Sequence, residues 1–191
     1  MRYPNLTAFK EEIWSTDPAT LVNRWLTDRN PCAFTSEDDL TNFSRRIARD
    51  YPQAEEILIA GTANWQYSLN PNKSFSEFHI KSDVDIVLIS PADFEETWER
   101  LRHLHRKQWY SWGKHIRESV MRTGQNVYCG FVSPKHIPDR TSTYRFQFLQ
   151  RCNSYSSSAI GYREVNMMFF KSMEDVVDYY IRGVRMARSK V

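Results

Sequence analysis

Asp83 and Asp85 stand two residues apart at the head of the apolar run Ile86-Val87-Leu88-Ile89. Side chains alternate along a strand, so both carboxylates face the same side. Two carboxylates on one face repel each other unless a cation sits between them, and a hard divalent metal is the usual one. Upstream, a second apolar run, Ile57-Leu58-Ile59-Ala60, ends in Gly61-Thr62. Such a turn offers backbone N–H groups to an anion. Metal ligands beside a phosphate cradle are the equipment for phosphoryl or nucleotidyl transfer.

These side chains need elements to hold them. Asp17-Pro18 reads as an N-cap followed by proline at the first helical position, and Leu21, Val22, Trp25 and Leu26 follow at helical spacing. Ser36-Glu37-Asp38-Asp39 opens a second helix in the manner of a capping box, with Leu40, Phe43 and Ile47 as its apolar stripe and Pro52 at its end. Strands are expected at 57–60 and 83–89, joined by a long loop over 61–82 with Asn70-Pro71-Asn72 at its middle. Ser90-Pro91 caps the next helix, whose buried face is Phe94, Trp98, Leu101 and Leu104. Further strands are expected at 126–132 and 164–170, with a polar loop at 154–158. Ser172 and Asp175 cap a last helix that turns Val176, Val177, Tyr180, Ile181 and Val184 inward. This order predicts an α+β (mixed α/β) fold, a mixed sheet flanked by helices. The 191 residues suit a single domain: N-terminal helices over 1–52, a sheet core over 53–171 and a C-terminal helix over 172–191.

Composition removes several classes. Hydrophobic residues make up 41% of the chain, enough for a real core, and the net charge of +3 permits a polyanionic partner without demanding one. Cys32, Cys129 and Cys152 are odd in number and far apart, with no CxxC pair. They read as reduced thiols of a cytoplasmic protein, against a structural zinc or disulfide framework. Met1-Arg2-Tyr3-Pro4-Asn5 lacks the apolar core of a signal peptide, and no run approaches the ~20 apolar residues of a membrane span. No P-loop, GxGxxG or GxSxG occurs.

The order "apolar strand, Gly-[Ser/Thr], variable loop, Ser-Asp-x-Asp, apolar strand" resembles the DNA polymerase β-like nucleotidyltransferase superfamily. It is carried by Ile57-Leu58-Ile59-Ala60-Gly61-Thr62 and by Ser82-Asp83-Val84-Asp85-Ile86-Val87. The resemblance covers the middle of the chain. It implies that Gly61 and Thr62, with Ser82, contact nucleotide phosphates, and that Asp83 and Asp85 bind Mg²⁺ or Mn²⁺. It also implies a third carboxylate on a neighbouring strand. Glu164 is the sole acid of the expected strand and is the expected third ligand, which makes Asp83, Asp85 and Glu164 the catalytic set. Asn166 shares the face of Glu164. If the acidic position falls on Asn166, a neutral amide replaces an anion and metal binding weakens.

The resemblance therefore leaves two readings. One is a metal-dependent nucleotidyltransferase that moves a nucleoside monophosphate from an NTP, such as ATP, to a hydroxyl of RNA, a protein or a small molecule. By analogy, small proteins resembling this superfamily often belong to bacterial toxin–antitoxin or phage-defence systems. The other is a degenerate module that binds a partner protein, a second copy or nucleic acid. Ser68 and Lys73 in the 61–82 loop are further candidates for phosphate. The same loop carries Trp65, Tyr67, Phe75, Phe78 and His79, which either form a substrate-shaping flap or fold back on the core. His103 and His105 point to different helix faces and do not suit a metal. Arg100, Arg102, Arg106 and Lys107, and separately Arg182, Arg185, Arg188 and Lys190, form basic helix surfaces that are either solvated or nucleic-acid contacts.

Overall fold

The computed structural model describes residues 3–28 and 30–189. Met1, Arg2 and Lys190, each named above, lie outside the described residues. In chain order the elements are α1 (Leu6–Ser15), α2 (Pro18–Thr27), α3 (Glu37–Asp50), β1 (Glu56–Ala60), the single turn α4 (Thr62–Trp65), β2 (Val84–Ile89), α5 (Pro91–Gln108), α6 (Lys114–Tyr128), β3 (Phe131–Val132), α7 (Thr143–Tyr155), β4 (Val165–Phe170) and α8 (Met173–Arg188). The fold is α+β, as the order of signals predicts.

The helix starts follow from local chemistry. The side chain of Asp17 accepts from Thr20 N at 2.9 Å and that of Ser36 from Asp39 N at 3.1 Å. Ser90 and Ser172 cap α5 and α8 through Asp93 N and Asp175 N. Each cap satisfies an N–H that the first helical turn leaves without a partner and stabilises by about 1 kcal/mol.

The sheet has the order β1-β2-β4-β3. β1 runs antiparallel to β2 with Ala60 opposite Asp85, β2 runs parallel to β4 with Asp85 opposite Asn166, and β3 runs antiparallel to β4 with Val132 opposite Phe169. Alternation gives this sheet two buried faces. Ile59, Val84, Ile86, Leu88, Met167 and Phe169 face a core closed by α3, α5 and α7. Val87, Ile89 and Phe170 face a second core closed by α1, α2 and α8. Asp85 and Asn166 fall on this second face, at its open end.

The second core depends on aromatic packing and on long-range ties. Trp25 of α2 stacks on Trp65 of α4 with ring centroids 4.8 Å apart, and Tyr180 of α8 meets Trp65 edge-on at 5.1 Å. α8 packs along α2 and α1. Arg188 closes that contact, donating to Ile13 O at 2.8 Å and also to Thr16 O. Beneath α4, the fully buried Asn64 donates from Nδ2 to Trp25 O at 2.8 Å and to Ile59 O at 2.9 Å. This one amide ties α2 to β1. Removing it leaves two buried carbonyls without that donor, so Asn64→Ala is expected to lower unfolding free energy by about 2–4 kcal/mol, read as a fall in urea midpoint at unchanged slope. An unchanged midpoint would show that the tie does not hold the layer.

Three expectations about elements need correction. Residues 126–132 do not form one strand: α6 continues to Tyr128 and only Phe131–Val132 pairs with β4. Gly130, at φ 89°, ends the helix in a backbone conformation that side chains rarely adopt, so the helix runs up to it and the strand starts after it. The polar stretch 154–158 begins inside α7, which ends at Tyr155. The 61–82 segment is not a featureless loop: it holds α4, a 3₁₀ turn over Pro71–Lys73 and a bridge between Tyr67 and Glu77. Its aromatic residues Trp65, Tyr67 and Phe75 are buried in the second core, so that group folds back and does not form a flap.

Candidate active site

The register concentrates the candidate residues at one end of the sheet. β1 ends at Ala60 beside Asp85, so the chain must turn at Gly61 directly over the Asp85 carboxylate. Gly61 has φ 64° and ψ −156°, a region open to glycine almost alone. A Cβ there would lie 2.5 Å from Asp85 Oδ2. Glycine is thus demanded twice, by the backbone and by the carboxylate against it. The turn then opens α4, where Asn64 N and Trp65 N bond back to Gly61 O and the N–H groups of Thr62 and Ala63 are left without an intrahelical partner.

On the other side of Asp85 stands Asn166, whose Nδ2 donates to Asp83 Oδ2. The Asn166 Oδ1 in turn accepts from Lys135 Nζ at 2.7 Å. Asp85 is pushed up to about 7, first by burial and next by the charge of Asp83, with Lys73 and Lys135 pulling the other way. The same buried charge helps hold the Tyr179 and Tyr180 hydroxyls above their ordinary range, after burial as the main cause. The two aspartates form a repelling pair in a poorly solvated pocket, which is an arrangement that a cation relieves.

A cleft of about 680 Å³ opens over this pair. It brings together Gly61, Thr62, Ser68, Lys73, Asp83 and Asp85 from the sequence-based candidates. Ser68 is buried, and its Oγ accepts from Asn70 N at 3.2 Å, so it shapes the turn that carries Lys73. α8 supplies the opposite wall with Tyr179, Tyr180 and Arg182. Arg182 donates to Cys129 O at 3.1 Å, which holds its guanidinium at the cleft. The cleft floor is anionic and its rim carries Lys73 and Arg182, which suits a metal-bound polyphosphate.

Two candidates stand apart from the cleft. Ser82 accepts from His79 N at 3.0 Å and shapes the approach to β2. Glu164 lies one residue before β4, is exposed, and has its Oε1 3.4 Å from Lys135 Nζ. Its backbone carbonyl accepts from Val84 N at 2.8 Å, so it is fixed in the sheet by its main chain. Among the described residues no three His, Cys, Asp or Glu side chains converge as a metal-ligand group, so Asp83 and Asp85 come together without Glu164. The residue that faces them across the strands is Asn166. His103 and His105 likewise belong to no such group.

Reading the sequence passed over Lys135 and treated Arg182 only as part of a basic helix face. Lys135 carried a weak signal. It follows the Ser133-Pro134 strand end, and the chain leaving a strand antiparallel to β4, opposite Phe169, runs on toward the start of β4. Cys152, by contrast, is buried in the other core, and burial pushes its thiol up to about 12, which makes it unreactive. No helix among the described residues is long and apolar enough to cross a membrane.

No protein-family model matches this chain, and no curated protein or solved structure matches it.

Proposed function

We propose that this protein is a nucleotidyltransferase acting on a metal-bound nucleoside triphosphate. The observation that carries the reading is the placement of Asp83 and Asp85 on one strand face under the Gly61 turn, in a cleft rimmed by Lys73 and Arg182. The donor set fits a hard divalent cation: two adjacent carboxylates, one of them pushed up to about 7 by burial and by the charge of the other. Asp83 and Asp85 would hold Mg²⁺ or Mn²⁺, which when bound supplies Lewis-acid polarisation of the phosphate oxygens.

The chain's own groups do the rest. The N–H groups that open α4 bind phosphate oxygens, and Lys73 and Arg182 offset the remaining charge of the triphosphate. Buried walls from Tyr180 and Trp65 keep bulk water from the floor. In the transfer step the acceptor oxygen bonds to the α-phosphorus and the bridging α–β bond breaks. Pyrophosphate leaves and the hydroxyl proton passes to solvent. The acceptor class, RNA, protein or small molecule, and a role in a bacterial defence or toxin–antitoxin pair are parts of the same proposal by analogy.

Asn166 favours a second reading, in which the cleft binds a metal-bound nucleotide without turning it over, as a module that docks a partner protein or nucleic acid. A neutral amide facing the aspartates lacks the charge of a third metal-binding acid.

One assay separates the two. Incubation with α-labelled NTPs and Mg²⁺ or Mn²⁺ is expected to give label transfer that falls by about 10²-fold or more in Asp83→Ala/Asp85→Ala, the scale of losing a main electrostatic stabiliser. Label transfer that survives the double substitution sinks the first reading. Metal-dependent nucleotide binding with no transfer to RNA, protein or small molecules and no NTP consumed assigns the second.

A further inference from the structure

Beside the aspartates, on the strand parallel to β2, stands a neutral amide that is itself held by an ammonium. Paired divalent cations about 3.5–4 Å apart are held by several anionic oxygens. Here the residue that faces Asp85 across the sheet is Asn166, a neutral amide. That amide is fixed at both ends. Its Nδ2 donates to Asp83 Oδ2, so its Oδ1 is turned outward, and Oδ1 accepts from Lys135 Nζ at 2.7 Å. The same ammonium is 3.4 Å from Glu164 Oε1, the nearby acid that sequence alone nominates as a ligand. A divalent cation brought to either of these oxygens would meet the like charge of the Lys135 ammonium at close range.

The lysine is placed by the fold. It sits on the 3₁₀ turn Pro134–His136, which the antiparallel β3 delivers to the N-terminal end of β4. Arg145 of α7 donates from Nε to Lys135 O at 3.2 Å and fixes the turn from behind. The Lys135 side chain is half-exposed, so its charge is reachable by a ligand entering beside Asp83.

We propose that the Lys135 ammonium replaces the second metal ion, so that the site takes one divalent cation, on Asp83 and Asp85, with each nucleoside triphosphate. The proposal rests on the nucleotidyltransferase reading and deepens it. Lys135, held by Asn166, presents a fixed positive charge to the incoming oxygen and the transferred phosphate. Asn166 is then a required partner in this arrangement: its oxygen holds the ammonium while its nitrogen steadies Asp83.

The test counts metal ions and does not need the acceptor. Mn²⁺ is titrated with a non-hydrolysable ATP analogue, and protein-bound Mn²⁺ per bound nucleotide is read by equilibrium dialysis and electron paramagnetic resonance. The wild-type protein is expected to hold one Mn²⁺ per nucleotide, with the spectrum of an isolated ion, and Lys135→Arg to keep that count. Asn166→Asp/Lys135→Ala, which restores an acid and removes the ammonium, is expected to hold two, with dipolar broadening. A coupled pair in the wild-type protein overturns the proposal whatever the variants do, and so does a single ion in a folded double variant. Wild-type protein that binds no nucleotide removes the nucleotidyltransferase reading, and this proposal with it.

Discussion

Asp85→Asn is expected to abolish activity and, in the metal-free protein, to raise stability. The carboxyl of Asp85 is pushed up to about 7 by burial and by Asp83, against an ordinary aspartate value near 4 in the unfolded chain. Between those two values the folded state binds a proton that the unfolded state has released. Stability therefore falls as pH rises from about 4 to 7, and the loss is complete above that window. Asp85 keeps some solvent contact through the cleft, so about 1–3 kcal/mol is a suitable scale, less than the full shift implies. For a chain of this size that is about 2–12 °C of melting temperature. The asparagine variant escapes the penalty, so its advantage over the wild-type protein should be near zero at pH 4 and largest at pH 8.

Other groups titrate in neighbouring windows, and the difference between the two proteins isolates Asp85. Burial lowers His136, so its contribution rises with pH and opposes that of Asp85. Asp17 and Asp139, lowered by hydrogen bonds from Thr20 and Thr141, act at more acid pH. Addition of Mg²⁺ should close the gap by stabilising only the wild-type protein. Parallel melting curves across pH for the two proteins would show that Asp85 carries no buried-charge penalty. A buried charge whose removal strengthens the fold is the trade expected where a residue is kept for binding and not for stability.

Gly61→Ala is expected to do the most damage for the smallest change. The backbone conformation alone costs about 1–3 kcal/mol for a residue with a Cβ. The added methyl also meets Asp85 Oδ2 at 2.5 Å, which forces the carboxylate or the turn to move. Together these put the loss at about 2–5 kcal/mol with nucleotide binding removed, measured by denaturant melts and nucleotide titration. Asp85→Ala added to Gly61→Ala should recover the packing part and leave the backbone part, a coupling of about 1 kcal/mol or more. Strict additivity of the two substitutions contradicts the contact.

Most of what locates this site is local and so was legible in the chain. A carboxylate pair two residues apart declares its shared face through strand alternation, and Gly61-Thr62 after an apolar run declares a turn. The capped helices behaved the same way, because Asp17, Ser36, Ser90 and Ser172 each act on the N–H group three residues ahead. What stayed hidden depends on pairing between distant segments. Asn166 faces Asp85 only because β2 and β4 are parallel in one register, and sequence alone allowed Glu164 the same role. Lys135 reaches that amide through a two-residue strand too short to read. α7 was hidden for another reason. Tyr144, Phe146 and Phe148 alternate with polar residues as a strand would, yet the buried set is Phe148, Cys152 and Tyr155 at helical spacing, and Phe146 is left exposed.

The packing of α8 against α1 and α2 has a consequence in time. α8 carries the Tyr179, Tyr180 and Arg182 wall of the cleft and follows every other described element in the chain. Its anchors, Ile13 and Thr16, are made 175 and 172 residues before Arg188. During synthesis the sheet and the aspartate pair can assemble while one side of the cleft is still missing. Closing so long a loop is also among the slower steps of folding. A growing chain therefore exposes the aspartates before α8 walls the cleft, and the cleft is enclosed in one late event when α8 meets α1 and α2.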